Sequence, residues 1–360
     1  MSEAGHAAAA ANQSASVNYY VHHAIAPSTR RTYQHAIEQY HTYCHDRGWN
    51  SNDPITIPKA SEWLAAVADQ GQVRLGTMRT YRAALSTHFE ETSTNPTNPL
   101  SSPHIARLMN GIERDKAPRE AEVRREKPKT EGVTMEMLKS ILLHKPIINQ
   151  DHCFTMCFGA AVLASVAGLR PNELLGNTSI ESDRALKTTQ IKFFLDLHDE
   201  LPMSEAVIRN MKDTHSSITP DHFTITLTIS KTNQLGNLES IHVGDEVAVA
   251  AVWRWKLLRI PPSQDQEHGP EFFKLIGYRP LRMATLLKFV ETNLVSAGHK
   301  RMELTGKCFR IGRASELAAA GASEEQLTNS GGWAHNSRTW RIYADGQSKK
   351  VRDVQASKKK

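Results

Sequence analysis

The chain has 360 residues, enough for two domains that each bury a hydrophobic core. Its 44 lysines and arginines outnumber its 38 aspartates and glutamates, and the net charge of +6 weakly favours polyanionic partners. No run approaches the roughly 18 apolar residues of a membrane span, so we expect no membrane association. The four cysteines lack disulfide-framework spacing, which indicates a reducing compartment.

Residues 1–25 are rich in alanine, serine and asparagine, and we expect them to form a flexible arm. Residues 26–116 carry apolar side chains at helical spacing in four segments, which predicts a four-helix domain. We expect these helices to begin at Ser28, at Pro58, after Gly76 and at Ser102-Pro103.

Seven arginines fall on the predicted exposed faces of this helical domain. They are Arg30, Arg31, Arg74, Arg79, Arg82, Arg107 and Arg114. Charge alone is equally compatible with solvated helix faces and with a surface that binds an anionic polymer. Residues 117–131 follow with charges of both signs and two prolines, and we expect an extended interdomain linker there.

A nearly wholly apolar segment, 153–167, predicts a helix that is buried on all sides. It leads into the sequence GLRPNELL, in which Arg170 stands at a helix end beside a proline. There its guanidinium can project from a rigid core into a cleft, and Glu173, one helical turn further on, can hold it. The structural alternative is that the two residues form only a capping salt bridge.

A β-hairpin is predicted further along the chain. Residues 223–230, FTITLTIS, alternate in the manner of a strand, and residues 238–243 return after a turn that contains Lys231. A turn lysine alone carries no functional information, because lysine is the usual solvated residue there. Lys231 is nevertheless a candidate functional lysine because it lies between Arg170 and Arg310 in the chain, and Lys212 is a weaker candidate. The later helices, 247–258 and 280–297, are expected to be structural.

The most informative stretch is 305–343, TGKCFRIGRASELAAAGASEEQLTNSGGWAHNSRTWRIY. Gly321 is expected to end one helix, and Ser323 with Gln326 has the form of a capping box that opens the next. Arg310 lies at the start of the first, apolar helix and has no carboxylate three or four residues away. An arginine so placed needs an anionic partner, and a phosphate fits its planar fork.

The run KCFRIGRAS, the later Gly-Gly-Trp and the tyrosine that follows resemble the C-terminal signature of the tyrosine recombinases. That family includes phage integrases and the Crypton- and DIRS-type recombinases of mobile elements. Lys307 stands where the family usually has a histidine. Type IB topoisomerases of the poxvirus kind, which share the catalytic fold, carry Lys-x-x-Arg at this place. The resemblance covers residues 26–345.

The resemblance implies a mainly α fold, with an N-terminal four-helix core-binding domain and an α+β catalytic domain, residues 132–345, that contains a small antiparallel sheet. A basic tail, residues 346–360, follows; in the family such a segment often packs on a neighbouring subunit, and the alternatives are a nuclear-targeting patch and a solvated end. Glu173 would support the catalytic residues, and the seven arginines named above would bind DNA. The implied catalytic residues are Arg170, Lys231, Lys307, Arg310, Trp333 and Tyr343.

The implied activity is site-specific cleavage and rejoining of double-stranded DNA through a 3′-phosphotyrosyl intermediate, by a homo-tetramer on two duplexes. The expected location is the nucleus in a eukaryote and otherwise the cytoplasm. No cofactor is expected. Two alternatives stay open: DNA relaxation of the type IB topoisomerase kind, and a DNA-binding derivative without catalytic activity.

Two residue-level alternatives concern the tyrosine and a metal. Tyr343 is the sole tyrosine after the Gly-Gly-Trp turn, ten residues beyond Trp333, and the alternative is a core tyrosine. His41, Cys44 and His45 share one helical face and could contact zinc. A structural zinc site normally needs four ligands, and nothing nearby completes the set, so we expect no metal.

Overall fold

The structure, a computed structural model, describes residues 24–50, 53–93, 95–126, 130–145, 151–176, 185–227, 239–260, 271–274 and 280–330. The chain forms two compact units that divide between residues 128 and 129. In the described part of the first unit the α-helices are α1 (Pro27–Asp46), α2 (Ile57–Asp69), α3 (Leu75–Thr92) and α4 (Pro103–Glu126).

The core of the first unit is centred on an aromatic cluster. Trp63 stacks on Tyr81, with 5.6 Å between the ring centroids, and meets the edge of Tyr40 at 5.5 Å. All three side chains are buried, as the helical spacing of the apolar residues predicts. Cys44 belongs to the same core, and burial raises the pKa of its thiol.

The predicted cap at Ser28 is wrong. Helix α1 begins at Pro27, after Ala26, and its start has no side-chain cap. Proline is favoured at the first helical position because the N–H that it lacks would have no partner there. The start of α4 is confirmed, because the Ser102 hydroxyl accepts a hydrogen bond from the Ile105 N–H at 3.3 Å.

The predicted extended linker at residues 117–131 is also wrong over most of its length. Helix α4 continues through Pro118 to Glu126. Long-range hydrogen bonds hold the continued helix: Glu120 accepts from the Leu75 N–H at 2.6 Å, and Lys116 donates to the Val73 carbonyl at 3.3 Å. These contacts offset the hydrogen bond that a proline removes from a helix interior.

The second unit is a mixed α+β structure. The large apolar helix α6 (His152–Val166) is buried almost throughout, as predicted, and packs closely on α9 (Glu246–Arg259) near Gly159. The described elements of this unit are α5 (Met135–His144), α6 (His152–Val166), α7 (Pro171–Leu175), β1 (Ile191–Phe194), α8 (Glu205–Asp213), β2 (His222–Leu227), β3 (Glu239–Val243), α9 (Glu246–Arg259), α10 (Met283–Ser296), α11 (Cys308–Ala319) and α12 (Glu324–Ser330).

The three described strands form one antiparallel sheet in the order β1-β2-β3. Phe223 of β2 lies opposite Phe193 on one side and Val243 on the other. The Phe193 ring meets Trp253 of α9 at 5.1 Å, so the sheet packs on that helix. The two strands of the predicted hairpin are present, whereas β1 and α8 were not predicted.

The region of α11 and α12 follows the sequence closely. Gly321, with a φ of +80°, ends the first helix in the left-handed conformation that glycine adopts without strain. The capping box is confirmed: the Ser323 N–H donates to Gln326 at 2.8 Å, and the Gln326 N–H donates to the Ser323 hydroxyl at 3.2 Å. No helix among the described residues combines the length and apolar character that crossing a membrane requires.

Candidate active site

Arg170 stands at the junction between α6 and α7, just after the chain turns through Gly168. Its guanidinium donates to Glu173 Oε1 at 2.6 Å, and its backbone N–H donates to Glu173 Oε2 at 2.7 Å. The two side chains are 18% and 8% exposed. The carboxylate therefore caps α7 and also fixes the orientation of the Arg170 fork, so the capping contact of the structural alternative is present.

Lys307 and Arg310 lie in the first turn of α11. Lys307 is exposed and occupies the N-cap position, and its carbonyl accepts the Ile311 N–H at 3.0 Å. Arg310 is half-buried, three residues further on. Residues at this spacing are neighbours on one helical face, so the two cationic side chains leave α11 on the same side.

A close backbone approach joins the two elements that carry these side chains. A Cβ atom placed on Gly306 would lie 2.5 Å from Cγ of Pro171, well inside van der Waals contact. Pro171 is bonded to Arg170, and Gly306 is bonded to Lys307. The structure therefore brings together the chain segments that hold Arg170, Lys307 and Arg310, although these lie more than 130 residues apart in sequence.

Helix α11 is also held along the face that carries Cys308, Gly312 and Glu316. The Val133 N–H donates to the Cys308 carbonyl at 3.0 Å, and Glu316 accepts the Met135 N–H at 2.6 Å. A Cβ atom on Gly312 would collide with the Val133 carbonyl oxygen. The segment before α5 thus lies directly on the α11 backbone, which holds the helix that presents Arg310.

Three predicted catalytic residues, Lys231, Trp333 and Tyr343, lie outside the described residues, as does the basic tail. The strands β2 and β3, which flank the segment that contains Lys231, are described and paired. Lys212, the weaker candidate, is half-buried on α8 and donates to the Ile260 carbonyl at the end of α9. That contact gives Lys212 a structural role.

The seven arginines of the first unit divide into two groups. Three contact the protein itself: Arg30 pairs with Glu91 at 2.9 Å, Arg79 pairs with Glu113 at 2.5 Å, and Arg82 donates to the Leu100 carbonyl at 3.0 Å. Arg79 is 62% exposed despite its pairing, and the other four side chains are exposed as well. They are Arg31, Arg74, Arg107 and Arg114.

Two of the residues considered for zinc differ in exposure to solvent. Cys44 is buried in the core of the first unit, whereas His45 is exposed. Within the described ranges, no three His, Cys, Asp or Glu side chains come together in a way that could hold a metal ion.

The sequence analysis did not identify the residues at the contacts of α11 and of the turn before it: Gly306, Gly312, Glu316 and Gly132, where a Cβ atom would lie 2.5 Å from the Gly312 nitrogen. One signal was available, because a glycine inside an otherwise good helix, as at Gly312, indicates a close packing contact. Gly306 offered a weaker signal, since a glycine before a helix is common. The partners of these residues come from distant parts of the chain and were not predictable from local sequence.

No model of a known family and no curated protein matches the sequence. Among solved structures, the chain is similar to the XerH site-specific recombinase in a pre-cleavage complex with its difH substrate. The TM-score is 0.53 at 15% identity, over 90% of this chain and 79% of that one. A post-cleavage complex of XerH with palindromic difH gives a TM-score of 0.53 at 17% identity, over 92% and 80%. The predicted fold class is therefore confirmed: the chain has the tyrosine recombinase fold.

Proposed function

We propose that the protein is a site-specific DNA recombinase that cleaves and rejoins duplex DNA through a 3′-phosphotyrosyl intermediate. The observation that supports this proposal is the contact between Gly306 and Pro171, which brings together the chain segments that carry Arg170, Lys307 and Arg310. Cations gathered in this way suit a phosphodiester, whose negative charge repels an attacking oxygen anion.

In the proposed mechanism, Arg170 and Arg310 donate hydrogen bonds to the non-bridging oxygens of the scissile phosphate. Tyr343 gives its hydroxyl proton to solvent water and attacks phosphorus; the new O–P bond forms as the bond to the 5′-oxygen breaks. Lys231 gives a proton to the leaving 5′-oxygen. The phosphotyrosyl ester conserves the bond energy, so that a 5′-hydroxyl rejoins the strand by the reverse steps.

Two further residues assist the transfer. The indole N–H of Trp333 donates to a phosphate oxygen. Lys307 supplies a positive hydrogen-bond donor where the family that the chain resembles has histidine, and its exposed place at the start of α11 suits that role. A lysine ammonium lacks the acceptor nitrogen of imidazole, so Lys307 does not relay a proton.

The biological setting belongs to the proposal as well. The motif resemblance to Crypton- and DIRS-type proteins supports a role in the integration or excision of a mobile element, in the nucleus of a eukaryotic cell or otherwise in the cytoplasm. The assembly we propose is a homo-tetramer on two duplexes. The Lys-x-x-Arg pair at Lys307 and Arg310 also supports a second candidate, topoisomerase IB-like relaxation of DNA.

Covalent trapping tests the chemistry. Bound sequences are selected with the Tyr343→Phe variant, rebuilt as nicked suicide duplexes and incubated with protein in EDTA. We expect a DNA-shifted band on denaturing gels for the wild type and for Tyr278→Phe, a matched control at the other tyrosine of the last hundred residues, and none for Tyr343→Phe. Site-specific binding without a covalent band in any protein would instead identify an inactive DNA-binding derivative.

Plasmid relaxation separates the two candidate activities. A recombinase requires the selected site and joins two duplexes as an oligomer. A topoisomerase relaxes supercoiled plasmids that lack the site and does so as a monomer, which analytical ultracentrifugation of the active species would reveal.

A further inference from the structure

Gly306 occupies a position that no other residue type fits without moving one of its neighbours. A Cβ atom there would lie 2.5 Å from Pro171 Cγ, 3.4 Å from Pro171 Cβ and 3.7 Å from Met283 Cγ. The first distance is far shorter than a carbon–carbon contact of about 3.5–4.0 Å. The glycine is therefore required by proximity alone, since its backbone angles are open to other residues.

The neighbour that a Cβ atom would meet is rigid. Pro171 is the first residue of α7, and its ring closes on its own backbone nitrogen, so Cγ cannot swing away as the end of a long side chain can. The backbone of Arg170 is in turn tied to Glu173 by a 2.7 Å hydrogen bond. A displacement must therefore move either the start of α7 or the turn that precedes α11.

We propose that Gly306 is a positioning residue, whose missing side chain sets the separation between Arg170 and the Lys307–Arg310 turn. The inference rests on the proposed function, because that separation matters only if the three cations hold one phosphate. Gly306 itself touches no substrate. It acts by letting the turn that carries Lys307 lie directly on the proline that follows Arg170.

The expected effect falls on chemistry and not on DNA affinity. A displacement of about 1 Å in a catalytic constellation can slow a reaction about 100-fold. Contacts to the DNA backbone are spread over many residues, so binding changes little. We therefore expect Gly306→Ala to form the covalent DNA adduct about 100-fold more slowly than the wild type, with the dissociation constant for the uncleaved site unchanged.

A compensating substitution distinguishes positioning from general damage. Pro171→Ala removes Cγ, the atom at 2.5 Å, and keeps Cβ, at 3.4 Å. The double variant Pro171→Ala/Gly306→Ala should recover to within about tenfold of the Pro171→Ala rate, because the remaining contact is ordinary. Gly244→Ala is the matched control in the same unit, since a Cβ atom there meets nothing within 4 Å; we expect the wild-type rate.

Each outcome decides the inference. A Gly306→Ala rate close to wild type, or a double variant as slow as Gly306→Ala, would overturn it. If Gly306→Ala does not fold, folding of the double variant supports the collision with Pro171, and failure of both overturns it. If the wild type forms no adduct, the proposed function fails, and urea unfolding of the four proteins still tests the contact: Gly306→Ala must destabilise the wild-type protein more than it destabilises the Pro171→Ala variant.

Discussion

The two predicted catalytic arginines described in the second unit and the four exposed arginines of the first unit have different surroundings. In the second unit, Arg170 is 18% exposed and its fork is fixed by a buried carboxylate, and Arg310 is half-buried on α11, whose backbone is held by the segment before α5. In the first unit, Arg31, Arg74, Arg107 and Arg114 are exposed on helix surfaces. Fixed guanidinium groups suit the precise geometry of phosphate chemistry, whereas exposed ones suit distributed contacts with a backbone.

The strongest test of this contrast removes Arg170 and Arg310 one at a time. We expect Arg170→Ala and Arg310→Ala each to slow adduct formation about 100- to 1,000-fold, because each removes donors aimed at the transferring phosphoryl group. DNA affinity should change little. Lysine at either position should recover only part of the rate, since an ammonium lacks the planar fork.

Arg301→Ala provides the control for that experiment. Arg301 is an arginine of the same unit, 85% exposed and paired with Glu291 at 2.8 Å. Adduct formation at the control rate by Arg170→Ala or Arg310→Ala, measured in single-turnover time courses, would remove that residue from the catalytic set.

The next prediction concerns the support of α11 and uses two glycines inside helices. Gly312→Ala drives a methyl group into the Val133 carbonyl, and overpacking of this kind costs about 3 kcal/mol of unfolding free energy. Gly111 lies inside α4 with open space around it, so Gly111→Ala should stabilise the protein by up to about 1 kcal/mol. Urea unfolding measures both, and effects of the same sign would contradict the packing assigned to Gly312.

These glycines mark the limit of what the sequence predicts. Helical spacing was enough to place Trp63 and Tyr81 in a core, and alternation was enough to predict the β2–β3 pair, because both depend on local periodicity. The contact of Gly306 with Pro171 depends on the packing of segments far apart in the chain, which periodicity does not encode.

The prediction of a linker in place of the extended helix α4 failed for a related reason. Charges and prolines at residues 117–131 favour a linker locally, but the hydrogen bond from Leu75 to Glu120 stabilises the helix from outside the segment. For the site, the motifs predicted Arg170 and its partner Glu173, and the structure adds how the two are held. The assignments of Lys231, Trp333 and Tyr343 stay predictions.

A smaller effect, on the salt dependence of DNA binding, is expected from substitutions in the first unit. This effect distinguishes the two groups of arginines there. Removing one exposed side chain, as in Arg74→Gln or Arg114→Gln, should lower the slope of log Kd against log salt by about 0.9 for each phosphate that is no longer neutralised. Arg82→Gln should leave the slope unchanged and cost about 1 kcal/mol of stability, because Arg82 donates to the Leu100 carbonyl inside the fold. Fluorescence anisotropy at several salt concentrations gives the slopes. If Arg74→Gln and Arg114→Gln have the wild-type slope, as Arg82→Gln is expected to have, the exposed arginines do not contact DNA.

The smallest expected effect is a dependence of the unfolding free energy on pH that arises from Glu316. Burial raises the pKa of its carboxyl above the ordinary value of 4.5, although the Met135 N–H, Arg313 and Lys139 act in the opposite direction. His242 and Asp245 line the same cavity as Glu316. Because the folded state holds the Glu316 proton more tightly than the unfolded state, its contribution to stability is present below pH 4.5 and declines as pH rises through the raised pKa.

Glu316→Gln keeps an oxygen acceptor for the Met135 N–H and removes the titration. We expect the variant to lose less stability than the wild type as pH rises from about 4.5 towards neutrality, with the difference confined to that interval. Glu303→Gln, at an exposed carboxylate of the same unit, is the control. Parallel stability curves for wild type and Glu316→Gln, from urea unfolding at each pH, would show that the Glu316 carboxyl has the same pKa in the folded and unfolded states.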